Sequence, residues 1–425
     1  MTRGLRAVFI SPIAPAVTGN GLAMRMGQFV EALSKIADLH VIVVPVAGET
    51  GFRASSRAYA KTLIHFIDVG ERADTHFSLL SRVADPRARL DAFRAYGKPS
   101  LARHLSAPVL GEIARRVEAL RPDFVHLGRS YMLPCLNALP TDVALTLDLD
   151  EDDWASYAGQ AQIARAQGDL AGADWLEQEG LACDRLIARW GRRLRKIFIA
   201  NPADAPRLAL RHPGLAWEAA ENSVEIPTRR AKRDDGETLL FVGALGYRPN
   251  ADGVRWFCEA VLPRLRAGSG GPCRLIIAGG GGVPEIAALA RRPRVVVLGR
   301  VKDLGPLYRQ ATLALAPLHS GGGTRIKLLE AAAHRTASVS TVHAAAGIGW
   351  PREAGGWRGR TPLDFALACQ SGLANATERD RRAAGGLDWV IRHHQRKRIV
   401  SRLARSFIMA VDRRPAEGVT EEILG

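Results

Sequence analysis

Short apolar runs alternate with longer helix-like stretches along the chain, and this alternation limits the fold more than any other feature of the sequence. The runs are apolar throughout, which indicates parallel strands covered on both faces of a sheet. We predict strands at residues 7–12, 39–46, 64–69, 124–128, 143–149, 197–201, 238–245, 273–280, 294–300, 312–318 and 337–342. The pattern therefore predicts an α/β protein made of doubly wound parallel sheets.

A polar and charged stretch at residues 228–237 divides the strand pattern into two halves, and we predict a linker there because it has no apolar anchors. The expected organisation is a Rossmann-like domain at 1–227, a second one at 238–390, and a basic helical segment at 391–425 that could pack back on the first domain. A chain of 425 residues has room for two such cores. Ligands of open α/β sheets bind at the carboxyl ends of the strands, so the predicted site is a cleft between the two sheets.

Cysteine spacing and apolar run lengths limit the class of protein. The five cysteines lie far apart, without the CxxC or CxH spacing of a zinc site, and a reducing cytoplasm is the predicted compartment. The basic and then apolar start of the chain is compatible with a signal peptide, but a first strand at 7–11 followed by a turn at 18–21 is the favoured interpretation. No run approaches the ~18 apolar residues of a membrane span.

The formal net charge of +16 is compatible with nucleic acid, an anionic membrane or an anionic small substrate as a partner. Arginine-rich clusters at 192–196 and 392–398 lack the interleaved aromatic residues that a single-strand-binding surface needs, so we do not expect nucleic acid. Solvated helix faces explain these clusters most simply. Weak contact with an anionic membrane surface is the other interpretation that we keep.

The most informative segment reads LALAPLHSGGGTRIKLLEAAA, residues 313–333. A glycine run follows a strand and leads into a helix whose first turn carries Arg325 and Lys327. Helix N-termini expose unpaired N–H groups, and glycine lets a phosphate approach the backbone, so the segment predicts an anion site, most simply for a diphosphate. A flexible loop with solvated cations is the alternative. ATP and NAD are weaker candidates, because no Walker pattern occurs and the glycines at 279–282 lack the acidic partner of a dinucleotide site.

Residues 241–348 resemble the donor-binding domain of retaining nucleotide-sugar glycosyltransferases of family 4, also called group 1, which have the GT-B fold. The resemblance rests on the FVG strand, the YRPN turn, the APL strand-loop and the helix from the glycine run to Glu330. Residues 19–25 resemble the glycine loop that faces the acceptor in that family, and 148–153 and 221–227 are looser matches. The implied architecture is two Rossmann-like domains that face each other across a cleft.

The resemblance also implies roles for single residues. Glu330 matches the second glutamate of the E-x7-E motif, which typically binds the ribose hydroxyls. Gly322 stands eight positions earlier, where the family often has a first glutamate that contacts the donor sugar, so sugar recognition would have to be built differently here. The other donor-binding residues would be Gly243, Gly321, Gly323, Thr324, Ile326 and Arg300. Catalytic roles would fall to Arg325, Lys327 and His126, and the acceptor-side loop would be Gly19, Asn20 and Gly21.

Plainer alternatives stand beside several of these assignments. Gly243 could be a strand-end turn, and His126, expected at a strand end facing the cleft, could be a structural histidine. Asn250 is expected to cap the helix that begins at Ala251. Helix capping is also the favoured role for the acids Asp148, Asp150, Glu151, Asp152 and Asp153, and we do not infer a metal site from them. The side chains of Arg300 and Lys302 could simply be solvated.

The implied activity is transfer of a sugar from a nucleoside diphosphate sugar to an acceptor hydroxyl with retention, as in a hexosyltransferase. Surface polysaccharide or glycolipid assembly is the expected setting, with a glycan or lipid-linked acceptor and no metal or other cofactor. The protein is expected in the cytoplasm, with peripheral contact to the inner face of the plasma membrane. An inactive nucleotide-binding scaffold is the alternative that we keep open. It is suggested by Gly322, and by Arg335 and Ala337, which stand where the family has a Gly-x-Pro turn. An epimerase is disfavoured because no clear carboxylate pair is visible.

Overall fold

The computed structural model describes residues 4–46, 59, 62–69, 74–228, 234–267, 270–281, 284–349, 351 and 353–411. Its first sheet has seven parallel strands in the order β3-β2-β1-β4-β5-β6-β7. Their bounds are β1 (Arg6–Ser11), β2 (Asp38–Val43), β3 (Leu63–Phe66), β4 (Phe124–Gly128), β5 (Ala144–Asp150), β6 (Lys196–Ile199) and β7 (Trp217–Ala219).

The second sheet has six parallel strands in the order β10-β9-β8-β11-β12-β13. They are β8 (Thr238–Val242), β9 (Arg274–Ala278), β10 (Val295–Gly299), β11 (Leu313–Ala316), β12 (Ser338–Thr341) and β13 (Gly356–Gly359). The predicted architecture of two doubly wound parallel sheets is confirmed, and each of the predicted runs contains a strand. The prediction missed β7 and β13, because WEA and GWRG are too short and too polar to form an apolar run.

Helices connect the strands and cover both faces of each sheet. Those of the first half are α1 (Gly21–Leu33), α2 (Thr75–Leu80), α3 (Pro86–Tyr96), α4 (Ala107–Leu120), α5 (Asp153–Ala166), α6 (Leu170–Trp190) and α7 (Ala205–Arg211). Those of the second half are α8 (Arg248–Trp256), α9 (Pro284–Leu289), α10 (Gly305–Gln310), α11 (Ile326–Ala333), α12 (Val342–Ala345), α13 (Pro362–Ala374), α14 (Ala376–His393) and α15 (Arg396–Val411).

Each sheet reverses its strand order at one place, between β1 and β4 in the first sheet and between β8 and β11 in the second. Crevices at such switch points are where ligands of open α/β sheets bind. Helix α1 follows β1 and helix α11 follows β11, so the N-termini of both helices lie at these crevices. They also meet, since a Cβ on Gly21 would lie 3.2 Å from Cδ1 of Ile326.

The last described helix, α15, packs on the first sheet although it comes at the end of the chain. Ile399, Val400, Leu403 and Phe407 share a buried apolar cluster with residues of β1 and α1. Arg396, which is almost fully buried, forms an ion pair with Glu31 on α1 at 2.9 Å. The basic segment at 391–425 therefore folds back on the first half as far as it is described; residues 412–425, and 229–233 of the predicted linker, lie outside the described residues.

The chain passes between the two halves twice, between β7 and β8 and again near residues 394–396. These two passages lie side by side. The Val224 N–H donates to the His394 carbonyl at 3.0 Å, the Arg396 N–H donates to the Val224 carbonyl at 3.3 Å, and Nδ1 of His394 lies 2.8 Å from the Asn222 carbonyl. The two halves are thus connected along one shared seam.

Candidate functional site

The predicted glycine run forms the loop between β11 and α11. Gly321 and Gly323 have φ values of +91° and +65°, which favour glycine, whereas Gly322 does not have a positive φ. The space around the loop is also narrow. A Cβ on Gly321 would lie 2.6 Å from the Tyr247 hydroxyl, and a Cβ on Gly322 would lie 2.2 Å from Oε2 of Glu151 in the first half of the chain. The loop therefore faces the first sheet at close range.

Arg325 stabilises this loop from within. Its Nη2 donates to the Gly321 carbonyl at 2.5 Å and lies 3.0 Å from Nε2 of His343, and its Nη1 donates to the Gly322 carbonyl. The side chain is buried. In this geometry the Arg325 guanidinium binds the carbonyls of its own loop, and its predicted contact with a diphosphate stays a prediction.

Lys327 lies on the first turn of α11, and its side chain points towards β8. Its Nζ donates to Oδ1 of Asn250 at 2.6 Å and lies 4.2 Å from the centroid of the Phe241 ring. A Cβ on Gly243 would lie 3.0 Å from the same Nζ, so the predicted Gly243 and Lys327 meet at the end of β8. Burial, together with the nearby charge of Arg325, lowers the pKa of Lys327 to about 7.

Glu330 lies one turn further along α11. The Tyr308 hydroxyl donates to its Oε2 at 3.3 Å. Burial raises the pKa of Glu330 to about 7, although the hydrogen bond from Tyr308 and the charge of Lys327 act in the opposite direction. A cation and an acid that both titrate near neutral pH thus lie together behind the glycine loop.

Asn250 does not cap a helix, so that prediction is wrong. Helix α8 begins at Arg248, three residues before the predicted start at Ala251, because Pro249 fits the first turn of a helix. Asn250 therefore lies inside the first turn, and its side chain joins the Ala244 carbonyl, at 2.8 Å, to Lys327. It fixes the position of the ammonium group.

A buried arginine and carboxylate network lies at the end of β5, opposite the glycine loop. Arg25 of α1 forms a bidentate pair with Asp148, at 2.8 and 2.7 Å, and a further pair with Asp150 at 3.2 Å. Arg129, after β4, binds Asp153 at 2.6 Å and both Asp150 and Glu151 at 3.2 Å. These acids are therefore partners of two buried arginines; of the five, Asp152 is the one that caps α5.

His126 is not a cleft residue, and the prediction that it faces the cleft is wrong. It is fully buried, with ring centroids of Phe29, Phe9 and Phe407 at 4.6, 4.9 and 5.1 Å. Its Nδ1 lies 2.9 Å from the Thr146 hydroxyl, and burial lowers its pKa to about 3. The side chains of β4 alternate, and α1 with α15 covers the face to which His126 points. A neutral core histidine results.

The remaining predicted residues lie around the rim of the crevice. Asn20 caps α1 by accepting from the N–H groups of Leu22 and Ala23 at 2.9 and 3.3 Å. Thr324 is buried, and its hydroxyl donates to the Ala200 carbonyl of the first half at 3.4 Å. Arg300 and Lys302 follow β10 and are exposed. Gly19, with a φ of +101°, precedes Asn20 in the acceptor-side loop.

Sequence reasoning missed Arg25 and Arg129. A signal for Arg25 was present, since it ends the GNGLAMR stretch, but nothing in one sequence shows that it pairs with Asp148, 123 residues away. In the described ranges, no group of three His, Cys, Asp or Glu side chains is arranged to hold a metal ion. Within the same ranges, no helix has the length and apolar character needed to cross a membrane.

Residues 236–371 match the family model described as glycosyl transferases group 1. No curated protein matches the chain.

Several solved structures share the fold along nearly the whole chain. The sucrose-phosphate synthase from Thermosynechococcus elongatus has a TM-score of 0.67 at 14% identity, with 95% of this chain and 98% of that one covered. HepE from Anabaena, in complex with UDP and glucose, has a TM-score of 0.60 at 10% identity, with 95% of this chain and 99% of that chain covered. WaaG, a glycosyltransferase involved in lipopolysaccharide biosynthesis, gives 0.59 at 13%, covering 96% and 100%. The chain therefore has the GT-B fold, and residues 236–371 resemble group 1 glycosyl transferases.

Proposed function

We propose that the protein is a glycosyltransferase that moves a sugar from a nucleoside diphosphate sugar to an acceptor hydroxyl with retention at the anomeric carbon. The observation that carries the proposal is the position of Lys327 and Glu330 on α11. Both are held behind a glycine loop at the carboxyl ends of β8 and β11, and that loop faces the other sheet. The family match over residues 236–371 supports the same reading.

The proposed chemistry depends mainly on stabilising the departing diphosphate. The N–H groups at the start of α11 supply hydrogen-bond donors, and Lys327 supplies a full charge once the anion raises its pKa again. Glu330 accepts hydrogen bonds from the ribose hydroxyls. Arg325 keeps the loop in the shape that exposes these groups. A narrow cleft between the two sheets limits access of water to the reacting bond.

The proposed partners are a nucleoside diphosphate sugar and a glycan or lipid-linked acceptor, in surface polysaccharide or glycolipid assembly. UDP is the first nucleotide to test, because a structure of similar fold contains it. We propose that the protein is cytoplasmic. We also propose that it uses no metal ion, because Lys327 supplies the positive charge for the diphosphate and the acids near the cleft are paired with Arg25 and Arg129. Nucleic acid is not among the proposed partners.

A membrane-facing surface is proposed for the cleft between α14 and α15. It is lined by one acid, one histidine and four arginines: Glu221, His393, Arg392, Arg398, Arg402 and Arg405, with Ile399. Met409, which is 65% exposed, and Ile408 continue the same end of α15. Cations beside exposed apolar side chains suit the anionic headgroups and the interfacial region of a membrane.

Binding measurements test the proposed function. Titration of the protein with UDP, GDP and ADP, followed by calorimetry, is expected to show one nucleotide that binds and stabilises the fold. The Glu330→Gln variant is expected to lose about tenfold in affinity or more, since one hydrogen bond to a charged group contributes ~1.5–3 kcal/mol. The matched control is Glu177→Gln, which changes an exposed, arginine-paired acid. A protein that binds none of the three nucleotides would refute the proposal.

The alternative of an inactive scaffold has a distinct expected result. Arg335 has a φ of +53° where the family has a Gly-x-Pro turn, so the turn after α11 is built with a strained residue. The strain lies behind the helix and not at the loop. Tight nucleotide binding without sugar transfer or hydrolysis, tested with a range of acceptors, would favour the scaffold over the enzyme.

A further inference from the structure

The loop after β5 brings one carboxylate of the first half of the chain against the glycine loop of the second. Oε2 of Glu151 lies where a side chain at Gly322 would begin, because a Cβ on that glycine would be 2.2 Å from it. Oε1 of Glu151 is bound to Nη2 of Arg129 at 3.2 Å. Oε2 is buried and has no hydrogen-bond partner among the described residues. One oxygen of this carboxylate is therefore bound to Arg129, and the other is buried without a hydrogen-bond partner among the described residues.

The position of Glu151 is well determined by its neighbours. Arg129 donates to Leu149 O at 3.0 Å and pairs with Asp150 and Asp153 as well as with Glu151. Asp150 itself has a φ of +67°, an uncommon conformation that turns the chain sharply before Glu151. The side chain of Glu151 is only 16% exposed. Moving the carboxylate would break a buried ion pair, which is costly.

Gly322 needs no glycine for its backbone, since its φ is not positive, unlike those of Gly321 and Gly323. What excludes a side chain at Gly322 is the carboxylate of Glu151. The two halves of the chain are thus complementary at this point: space left by a missing side chain on one half is filled by an acid from the other.

We propose that Glu151 is the donor-sugar recognition residue, with Oε2 accepting hydrogen bonds from hydroxyl groups of the transferred sugar. The inference rests on the proposed function, because it requires a diphosphate sugar at the loop. A carboxylate oxygen that is buried without a partner is unfavourable, and sugar hydroxyls are donors that would satisfy it. A residue that served only to hold the two halves together would instead accept an N–H from the glycine loop, and Oε2 accepts none.

The test separates the affinity for the nucleotide from the contribution of the sugar. Calorimetry is run with UDP, GDP and ADP, each alone and as its glucose conjugate, and with UDP-galactose and GDP-mannose. We expect Glu151→Gln to bind the free nucleotide within about twofold of the wild type. For the sugar conjugate we expect a loss of about tenfold or more, in line with one charged hydrogen bond. Glu177→Gln is again the control, and thermal unfolding checks that each variant is folded.

A second variant moves the acid to the other side of the cleft. Gly322→Glu alone is expected to bind the conjugates poorly, because its side chain collides with Glu151. The double variant Glu151→Gly with Gly322→Glu is expected to recover at least part of the sugar contribution, since the carboxylate returns from the opposite side. Recovery would show that a carboxylate at this point can supply the sugar contact from either half, whereas the assignment to Glu151 itself is decided by the Glu151→Gln measurement.

The outcomes distinguish the two proposals. If the wild type binds no nucleotide, the proposed function fails and the inference fails with it. If a nucleotide binds through Glu330 but the contribution of the sugar is the same in wild type and Glu151→Gln, the inference alone is overturned. The same holds if no conjugate differs in affinity from its nucleotide in the wild type. Loss of the sugar contribution in Glu151→Gln, with its return in the double variant, supports the assignment.

Discussion

At the scale of single residues, Lys327 and Glu330 are close on α11, and burial moves both pKa values to about 7. Each group is thus about half charged at neutral pH before a ligand binds. A diphosphate favours the ammonium form of Lys327, and ribose hydroxyls favour the carboxylate form of Glu330. Ligand binding must therefore move protons, and the direction depends on pH.

The sign of this proton movement is a prediction. At pH 8 Lys327 is mostly neutral and Glu330 mostly ionised, so binding of a nucleoside diphosphate sugar, whose phosphates stay ionised between pH 6 and 8, takes up about one proton. At pH 6 Lys327 is already charged and Glu330 mostly protonated, so binding releases about one. Calorimetry in buffers of different ionisation enthalpy measures both numbers. Lys327→Met should abolish the uptake at pH 8 and retain the release at pH 6; uptake that persists in this variant would contradict the assignment.

The sequence predicted this pair of residues but not what surrounds it. Lys327 was predicted because it stands on the first turn of a helix after a glycine run, and Glu330 because of the family resemblance; their roles in binding stay predictions. Their neighbours Asn250, Tyr308 and Phe241 are 77, 22 and 86 positions away, so only the tertiary fold brings them together. His126 was misplaced for a related reason: its strand was predicted, but the sequence of a strand that is buried on both faces does not show which face each side chain points to.

At the scale of secondary structure elements, glycine allows the strand ends around the site to approach each other. Gly279 follows β9, and a Cβ there would lie 1.8 Å from the Gly243 carbonyl at the end of β8. The added Cβ would clash with a backbone atom, so no side-chain movement could relieve the clash. Close contact of β8 and β9 at their carboxyl ends therefore depends on Gly279.

Gly279→Ala is expected to destabilise the protein by about 1–3 kcal/mol, the usual cost of overpacking, and to weaken nucleotide binding because Gly243 shifts. Denaturant unfolding measures the first effect and calorimetry the second. Gly159→Ala is the control: it lies within α5 with nothing inside 4 Å of the added Cβ, and it should stabilise slightly. Equal stability of Gly279→Ala and wild type would show that β8 and β9 can separate.

The elements could be predicted from the sequence to the extent that they are apolar. Buried parallel strands such as β1 and β11 are continuous apolar runs, so their positions were predicted to within one or two residues. Edge strands β7 and β13 bury less and need less apolar sequence, and they were missed. The turn before Glu151 was also missed, because a positive φ at an aspartate leaves no pattern in one sequence.

At the scale of the whole molecule, cations line the outer side of α15. Arg398, Arg402, Arg405 and Met409 are spaced four, three and four residues apart, so they lie on one face of the helix. The opposite face carries Leu403 and Phe407 into the core of the first half. One helix therefore both completes the fold and presents charge at the surface.

Vesicle binding tests the proposed membrane surface. Co-sedimentation with vesicles containing anionic lipid is expected at low salt and should weaken as salt increases, because the attraction is screened. The double variant Arg398→Glu with Arg405→Glu should reduce the bound fraction severalfold, since each cation near the surface contributes about 1 kcal/mol. Arg291→Glu, an exposed cation of the second half, is the control. Equal binding of both variants, or of neutral vesicles, would argue against this surface.

The two passages of the chain between the halves of the molecule run side by side, with Val224 bonded to His394 and Arg396. Two adjacent connections on one side of the molecule would favour rotation about that seam as the relative motion of the two halves. The glycine loop belongs to the second half and Glu151 to the first. Under the proposed function, binding then occurs in two steps. The second half binds the nucleotide first, and Glu151 contacts the sugar only after the two halves have closed. A donor that carries the wrong sugar would therefore dissociate before the two halves close.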